Sequence, residues 1–197
     1  ASGTITVQAD ATITLSSAAG TNNQTKCINT AITPITYSIG GSGTGATITG
    51  LPTGVTGSYS AGTYTISGTP SVAGTFNYTV TTTGPCVKPT ATGTIIVQAN
   101  SSITLTSGTA SQSKCINTAL TNVVYTIGGS ATNAALTAGS FPAGVNGIFS
   151  GSTFTISGTA TVAGSFNYTI TATGPCVNAT ASGTITVNDN ATISLSS

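Results

Sequence analysis

Apolar and polar residues alternate along most of this chain. In Thr75-Phe76-Asn77-Tyr78-Thr79-Val80-Thr81, Phe76, Tyr78 and Val80 fall on one face and the Thr and Asn residues on the other. That two-residue period belongs to a strand with one packed and one wetted face. The same alternation marks Thr4-Ile5-Thr6-Val7, Thr12-Ile13-Thr14-Leu15, Ile35-Thr36-Tyr37-Ser38-Ile39 and Thr63-Tyr64-Thr65-Ile66, with Gly, Pro and Asn between them. These are strand and turn signals, and no segment carries a helical period. The pattern predicts an all-β chain of two-sheet sandwiches with about seven strands in roughly 90 residues.

The pattern repeats. Lys26-Cys-Ile-Asn-Thr-Ala31 returns as Lys114-Cys-Ile-Asn-Thr-Ala119, and the tract from Thr63 to Val87 returns from Thr153 to Val177. Gly3, Gly93 and Gly183 occupy matching places, which sets a period of about 90 residues. Residues 1–9 match 91–99 and 181–189, and residues 190–197 match 10–17. The expected organisation is the last strand of a preceding module at 1–9, modules at 10–99 and 100–189, and the first strand of a following module at 190–197. Such phasing is expected of a window on a longer array, or of a subunit whose ends complete other subunits.

Charge narrows the chemistry. Only 3% of the 197 residues are charged, the net charge is +1, and there is no His. Lys26, Lys88, Lys114, Asp10, Asp189 and four cysteines are the whole inventory for acid, base or metal chemistry, so no catalytic residue, metal ligand set or cofactor site is expected. A chain this short of cations cannot neutralise a run of phosphates, which argues against nucleic acid as a partner. Apolar residues make up 38% of the chain, enough for a core. No apolar run reaches the length of a membrane-spanning helix. The N-terminal residues have neither a basic nor an apolar signal-peptide region, so any signal is expected to have been removed or to lie far upstream.

Gly50-Leu-Pro-Thr-Gly-Val55, Tyr64-Thr-Ile-Ser-Gly-Thr-Pro70 and Gly74-Thr-Phe-Asn-Tyr-Thr-Val80 resemble the GLPxG, ISGTP and GTxxxTVT hallmarks of bacterial immunoglobulin-like tandem repeats. With the added Cys-Ile-Asn-Thr and Gly-Pro-Cys elements, the chain is similar to repeats of giant surface adhesins of Bacteroidota, including those of gliding bacteria. The likeness covers the whole chain. It implies tandem immunoglobulin-like β-sandwiches in a cell-surface stalk or fibre and identifies no ligand. The second module departs from the hallmarks at Ser140-Phe-Pro142 and at Gly158-Thr-Ala160, where the lost proline puts the rigidity of that turn in question.

Cys27, Cys86, Cys115 and Cys176 recur at equivalent places, which points to structural disulfides and an oxidising, extracellular setting. Neither histidines nor Cys-x2-Cys pairs are present to favour zinc. Pairing within modules, Cys27 with Cys86 and Cys115 with Cys176, would close loops of about 60 residues, worth about 4 kcal/mol in the chain-entropy model. That pairing is the favoured expectation. A link between modules, Cys27 with Cys176, stands beside it if Cys27 lies at the far end of its sandwich.

Other residues carry weaker signals. Ser111-Gln-Ser-Lys114 has the Ser-x-x-Lys spacing of some acyl enzymes, but the first module has Asn23-Gln-Thr-Lys26, so Lys26 and Lys114 read as solvated charges beside a cysteine. A Lys to Asn isopeptide link would need a buried carboxylic acid, and both Asp residues sit at module junctions. Those junctions, Gln8-Ala-Asp10, Gln98-Ala-Asn100 and Asn188-Asp-Asn190, hold too few carboxylates for calcium and read as Asx turns. Asn23, Asn77, Asn100, Asn167, Asn178 and Asn190 begin Asn-x-Ser/Thr triplets, of the kind a Thr-rich chain generates by chance. The Thr-x-Thr rows at Thr12-Ile-Thr14 and Thr184-Ile-Thr186 read as wetted strand faces. Tyr59 and Phe149, equivalent residues near turns, read as core rather than as a sugar platform.

The expected function is mechanical: a non-catalytic extracellular array forming the stalk or fibre of a bacterial adhesin or filament. Its partners would be neighbouring copies of the same module, with surface polysaccharide or glycan as a further partner. The alternative is a filament subunit that donates Gly3–Val7 or Ala191–Leu195 to a neighbour by β-strand addition, and a third reading is a carbohydrate-binding module.

Overall fold

A computed structural model describes residues 1–193. Among them every regular element is a β-strand, and no helix is long and apolar enough to cross a membrane. The chain forms two units, the first spanning Ala1–Ala99 and the second beginning at Asn100.

The first unit contains β1 (Thr12–Leu15), β2 (Asn23–Cys27), β3 (Ile35–Gly40), β4 (Gly45–Thr49), β5 (Val55–Ser60), β6 (Thr63–Gly68), β7 (Gly74–Thr83) and β8 (Thr90–Gln98). They form two four-stranded sheets, ordered β1-β3-β6-β5 and β2-β8-β7-β4. β2 runs parallel to β8, and the other pairs are antiparallel. The second unit repeats the plan with β9 (Ser102–Ser107), β10 (Gln112–Cys115), β11 (Val123–Gly128), β12 (Asn133–Gly139), β13 (Val145–Ser150), β14 (Thr153–Gly158), β15 (Gly164–Thr173) and β16 (Ala179–Asn188). Each unit thus has eight strands against about seven expected, because one opening segment is split into two strands that join opposite sheets.

Alternation decides which residues enter the core. Ile35, Tyr37 and Ile39 of β3 are buried while Ser38 between them is exposed. Ile95 and Val97 of β8 meet them from the other sheet, with Tyr64, Ile66, Tyr78 and Val80 filling the space between. The second unit has the same core built on Val123, Tyr125, Ile127, Phe154, Ile156, Tyr168, Ile170, Ile185 and Val187.

One polar link crosses each core. The hydroxyls of Tyr37 on β3 and Tyr78 on β7 are hydrogen-bonded at 3.0 Å, and Tyr78 also donates to the Asn22 carbonyl at 3.3 Å. In the second unit Tyr125 and Tyr168 meet at 3.1 Å, and Tyr168 donates to Ala110 O at 2.7 Å. Burial first, then the neighbouring phenol, pushes the ionisation of Tyr78 and Tyr168 far above the ordinary phenol range. The ring of Tyr78 fits because it faces Gly93 across the ladder. A methyl group at Gly93 would overlap both the Tyr78 hydroxyl and the Asn22 carbonyl, and one at Gly183 would overlap Tyr168 and Ala110 in the same way.

The two hallmark turns lock onto each other. Thr69 N donates to Gly54 O at 2.9 Å, Ser71 N to Thr53 O at 2.9 Å and Val55 N to Pro52 O at 3.1 Å. Gly54 sits at φ +90°, where a side chain would strike the Thr69 carbonyl. The second unit keeps these bonds as Thr159 N to Gly144 O at 3.1 Å, Thr161 N to Ala143 O at 2.9 Å and Val145 N to Pro142 O at 3.0 Å. Ala160, fully buried, stands where Pro70 is, so the lost proline leaves the turn geometry intact. Phe141, in place of Leu51, packs on Tyr168 with ring centroids 5.5 Å apart.

Residues 1–9, expected as a strand, form none. Ile5 and Val7 are 91% and 89% exposed, whereas their counterparts in β8, Ile95 and Val97, are 0% and 3%. β8 is held between β2 and β7, and residues 1–9 have no such flanking pair among the described residues. Of the expected strand Ala191–Leu195, residues 191–193 form none, and the remainder lies outside the described residues.

Candidate functional site

The cysteines sit at opposite ends of each unit. Each unit has a leading end, where the chain arrives at its first strand, and a trailing end, where it leaves its last. Cys27 closes β2, whose parallel register places it beside Gln98, the last residue of β8. Ile28 N donates to Gln98 O at 2.8 Å, Asn29 N to Pro70 O at 2.8 Å and Thr30 N to Cys27 O at 3.1 Å. Asn29 takes φ 61° to make this turn, a conformation that Asn tolerates better than most residues. Gln24 holds the strand from the side, bonding Thr33 through both its amide oxygen and its amide nitrogen at 2.9 and 3.0 Å. In the second unit Cys115 lies beside Asn188, with the same bonds from Ile116, Asn117 and Thr118. Cys27 and Cys115 therefore mark trailing ends.

Cys86 follows β7 and precedes Thr90, the first residue of β8, so it belongs to the leading end. Its thiol points at Gln8 O, 3.9 Å away, and Val87 N donates to the Asp10 carboxylate at 3.3 Å. Asp10 thus ties the arriving chain to the Gly-Pro-Cys loop. The junction pattern alone predicts an Asx turn at this residue, since a bond reaching from residue 10 to residue 87 leaves no local signature. In the second unit Ser101 N donates to Val177 O at 2.9 Å, so Cys176 also lies at a leading end.

This placement corrects the expected pairing. β8 has nine residues, so at about 3.3 Å per residue its ends are roughly 25 Å apart, whereas bridged cysteines need Cα atoms within about 7 Å. Cys27 cannot reach Cys86, nor Cys115 reach Cys176. Cys27 and Cys176 each take part in a disulfide, while Cys86 and Cys115 are thiols. Parallel pairing of β2 with β8 is the reason, because it carries Cys27 away from the loop that holds Cys86.

The other candidates have structural roles. Ser111 Oγ accepts a bond from Thr184 N at 3.1 Å, which uses the hydroxyl in the strand pairing. Lys26 and Lys114 are half-buried along β2 and β10. Asn77 and Asn167 are exposed, as the alternation implies, and each carboxamide oxygen accepts from the Thr94 or Thr184 hydroxyl at 2.8 or 2.7 Å. Phe149 packs on its core, while Tyr59 is 37% exposed and lies beside Gly45. Among the described residues no three His, Cys, Asp or Glu side chains are grouped to hold a metal.

No protein-family model matches the chain, and no curated protein does. Solved structures do. A variant of the three-domain titin fragment I67-I69 with Glu to Ala changes is 14% identical, with 93% of this chain and 67% of that one covered at a TM-score of 0.60. The I-band fragment I67-I69 from titin is 12% identical, with 94% and 67% covered at 0.58. The fold is immunoglobulin-like. At these identities the likeness speaks for the fold alone, and the strand orders agree with it, β1-β3-β6-β5 and β2-β8-β7-β4 being the two immunoglobulin sheets. Antibody domains join the second and sixth of the seven standard strands by a buried disulfide. Here β3 and β7 hold those places, and the Tyr37–Tyr78 phenol pair spans the gap. The cysteines are thereby displaced from the immunoglobulin core to the ends of the modules.

Proposed function

We propose that the chain is part of a tandem immunoglobulin-like array that works mechanically, as the stalk or fibre of a bacterial surface adhesin or filament outside the cell, without catalysis. The observation that carries this reading is the placement of one cysteine at each end of each module. A cysteine at an end serves a junction. Cys27 sits beside Gln98, where the chain leaves the first module, and Cys176 belongs to the end at which it enters the second. Only Gln98-Ala99-Asn100 separates those points along the chain. Both cysteines are oxidised and the other two are thiols, so we assign the disulfide to Cys27 with Cys176. Such a bond would hold two modules by a second covalent connection beside the linker.

The near absence of charge agrees with this role. Threonine faces keep a neutral rod hydrated, and neither stiffness nor side-by-side packing then depends strongly on salt. Electron microscopy of the native material at low and high ionic strength tests the reading. Thin, straight fibres with an axial repeat near one module, about 40 Å from strands of this length plus loops, are expected in both. Flexible beads on a string, or isolated compact particles, contradict it.

A second reading rests on Ile5 and Val7, which are almost fully exposed although their counterparts Ile95 and Val97 are core residues. Residues 1–9 would then pair with an open sheet edge of another copy, the place between the β2-like and β7-like strands being taken by β8 and β16. The mass of the native chain separates the two. A very large mass supports a covalent array, and one near 19 kDa supports strand exchange.

A further inference from the structure

We infer that the two thiols, Cys86 and Cys115, are the unfilled halves of the same junction bond, each meant for a further copy of this module. The inference rests on the tandem-array reading and extends it to the partner and chemistry of each end. Cys115 repeats the surroundings of Cys27: the parallel register beside the last residue of the final strand, the turn through an Asn at φ 61°, and the bond from that Asn to the ISGT turn. Cys86 repeats the sequence surroundings of Cys176, Gly-Pro-Cys-Val, at a leading end. Next to Pro85, the residue before Cys86, is an open hollow of about 360 Å³ lined also by Gln8, Ala9, Gly41, Ser42 and Thr44.

The pattern is directional. A trailing cysteine meets a leading cysteine, so the contact joins unlike surfaces and propagates head to tail instead of closing into a pair. Bond formation needs an oxidant, and a disulfide reagent supplies it. The Cys115 thiolate attacks the reagent's disulfide, one reagent thiolate leaves, and the Cys86 thiolate of the next copy then displaces the second. Two protons and two electrons pass from the cysteines to the reagent, which ends as two thiols.

The 197-residue chain tests this when incubated at high concentration with a mixture of oxidised and reduced glutathione. A ladder of reductant-sensitive species at multiples of 19.0 kDa is expected, with non-reducing peptide mapping recovering Cys115 joined to Cys86. Cys86→Ser and Cys115→Ser should each remain monomeric alone, an equimolar mixture of the two should stop at the dimer, and the double variant should remain monomeric. A statistical mixture containing as much Cys86–Cys86 and Cys115–Cys115 as Cys115–Cys86 overturns the inference, as do glutathione-capped monomers. The same map reports independently on the underlying reading. If Cys27 is joined to Cys176 but the thiols do not cross-pair, only the extension fails. If Cys27 is not joined to Cys176, the junction bond itself fails.

Discussion

Replacing Gly93 by alanine probes the device on which each sandwich core depends. The new methyl group would overlap the Tyr78 hydroxyl and the Asn22 carbonyl together. Neither can retreat easily, since Tyr78 is 1% exposed and its hydroxyl is held by Tyr37. Overpacking of this kind costs about 1–3 kcal/mol. Displacing the Tyr78 hydroxyl leaves the buried Tyr37 partner unsatisfied, for a further 1–3 kcal/mol or so. We expect a loss of about 2–6 kcal/mol, a large share of the roughly 5–13 kcal/mol that a module of this size would have. At about 4–8 °C per kcal/mol the first unit should melt about 8–48 °C lower. Calorimetry under reducing conditions would show the drop, with the second unit as internal reference. Tyr78→Phe removes one of the two oxygens that the new methyl would overlap, so Gly93→Ala should cost about 1 kcal/mol less in that background. A shift below 5 °C, or strict additivity of the two changes, refutes the argument.

Alkaline pH should separate the two units. Tyr64 and Tyr78 in the first and Tyr168 in the second have phenol ionisations raised by burial, and Phe154 replaces Tyr64 in the second. A raised folded value means that their contribution is intact below about pH 10 and is lost as pH climbs beyond it, by up to about 1.4 kcal/mol per pH unit for each tyrosine. Stability measured by denaturant titration between pH 9 and 12 should therefore fall faster in the first unit, and parallel slopes would count against the buried-phenol account. Chelation should leave melting unchanged, because the junctions hold too few carboxylates for calcium, and a fall of several degrees with EDTA would reveal a missed metal.

Most of the sandwich was legible because its signals are local. Alternation in Phe76-Asn77-Tyr78-Thr79-Val80 and the ISGT turn each depend on neighbours a few residues away. The phenol pair was not legible, since Tyr37 and Tyr78 meet only after two sheets stack and the sequence shows merely two buried aromatics. Cysteine pairing failed for a related reason. It depends on whether β2 joins β8 in parallel, and that choice of sheet lies in long-range hydrogen bonds such as Ile28 to Gln98. Thr4-Ile5-Thr6-Val7 has the alternation of a strand and forms none, because alternation describes a strand's faces while its existence requires a partner edge.

Force applied to the two ends of the chain tests the central claim most directly. If Cys27 is bonded to Cys176 as we propose, the roughly 150 residues between them cannot be drawn out, and only about 48 remain to extend, or roughly 170 Å at about 3.5 Å each. Pairing within modules would release about 270 Å, and a fully reduced chain about 690 Å. Single-molecule stretching under oxidising conditions should give a total contour near 170 Å, rising to about 690 Å once reductant is added. A contour near 690 Å before reduction would contradict the junction bond and, with it, the account of the chain as a covalently reinforced array.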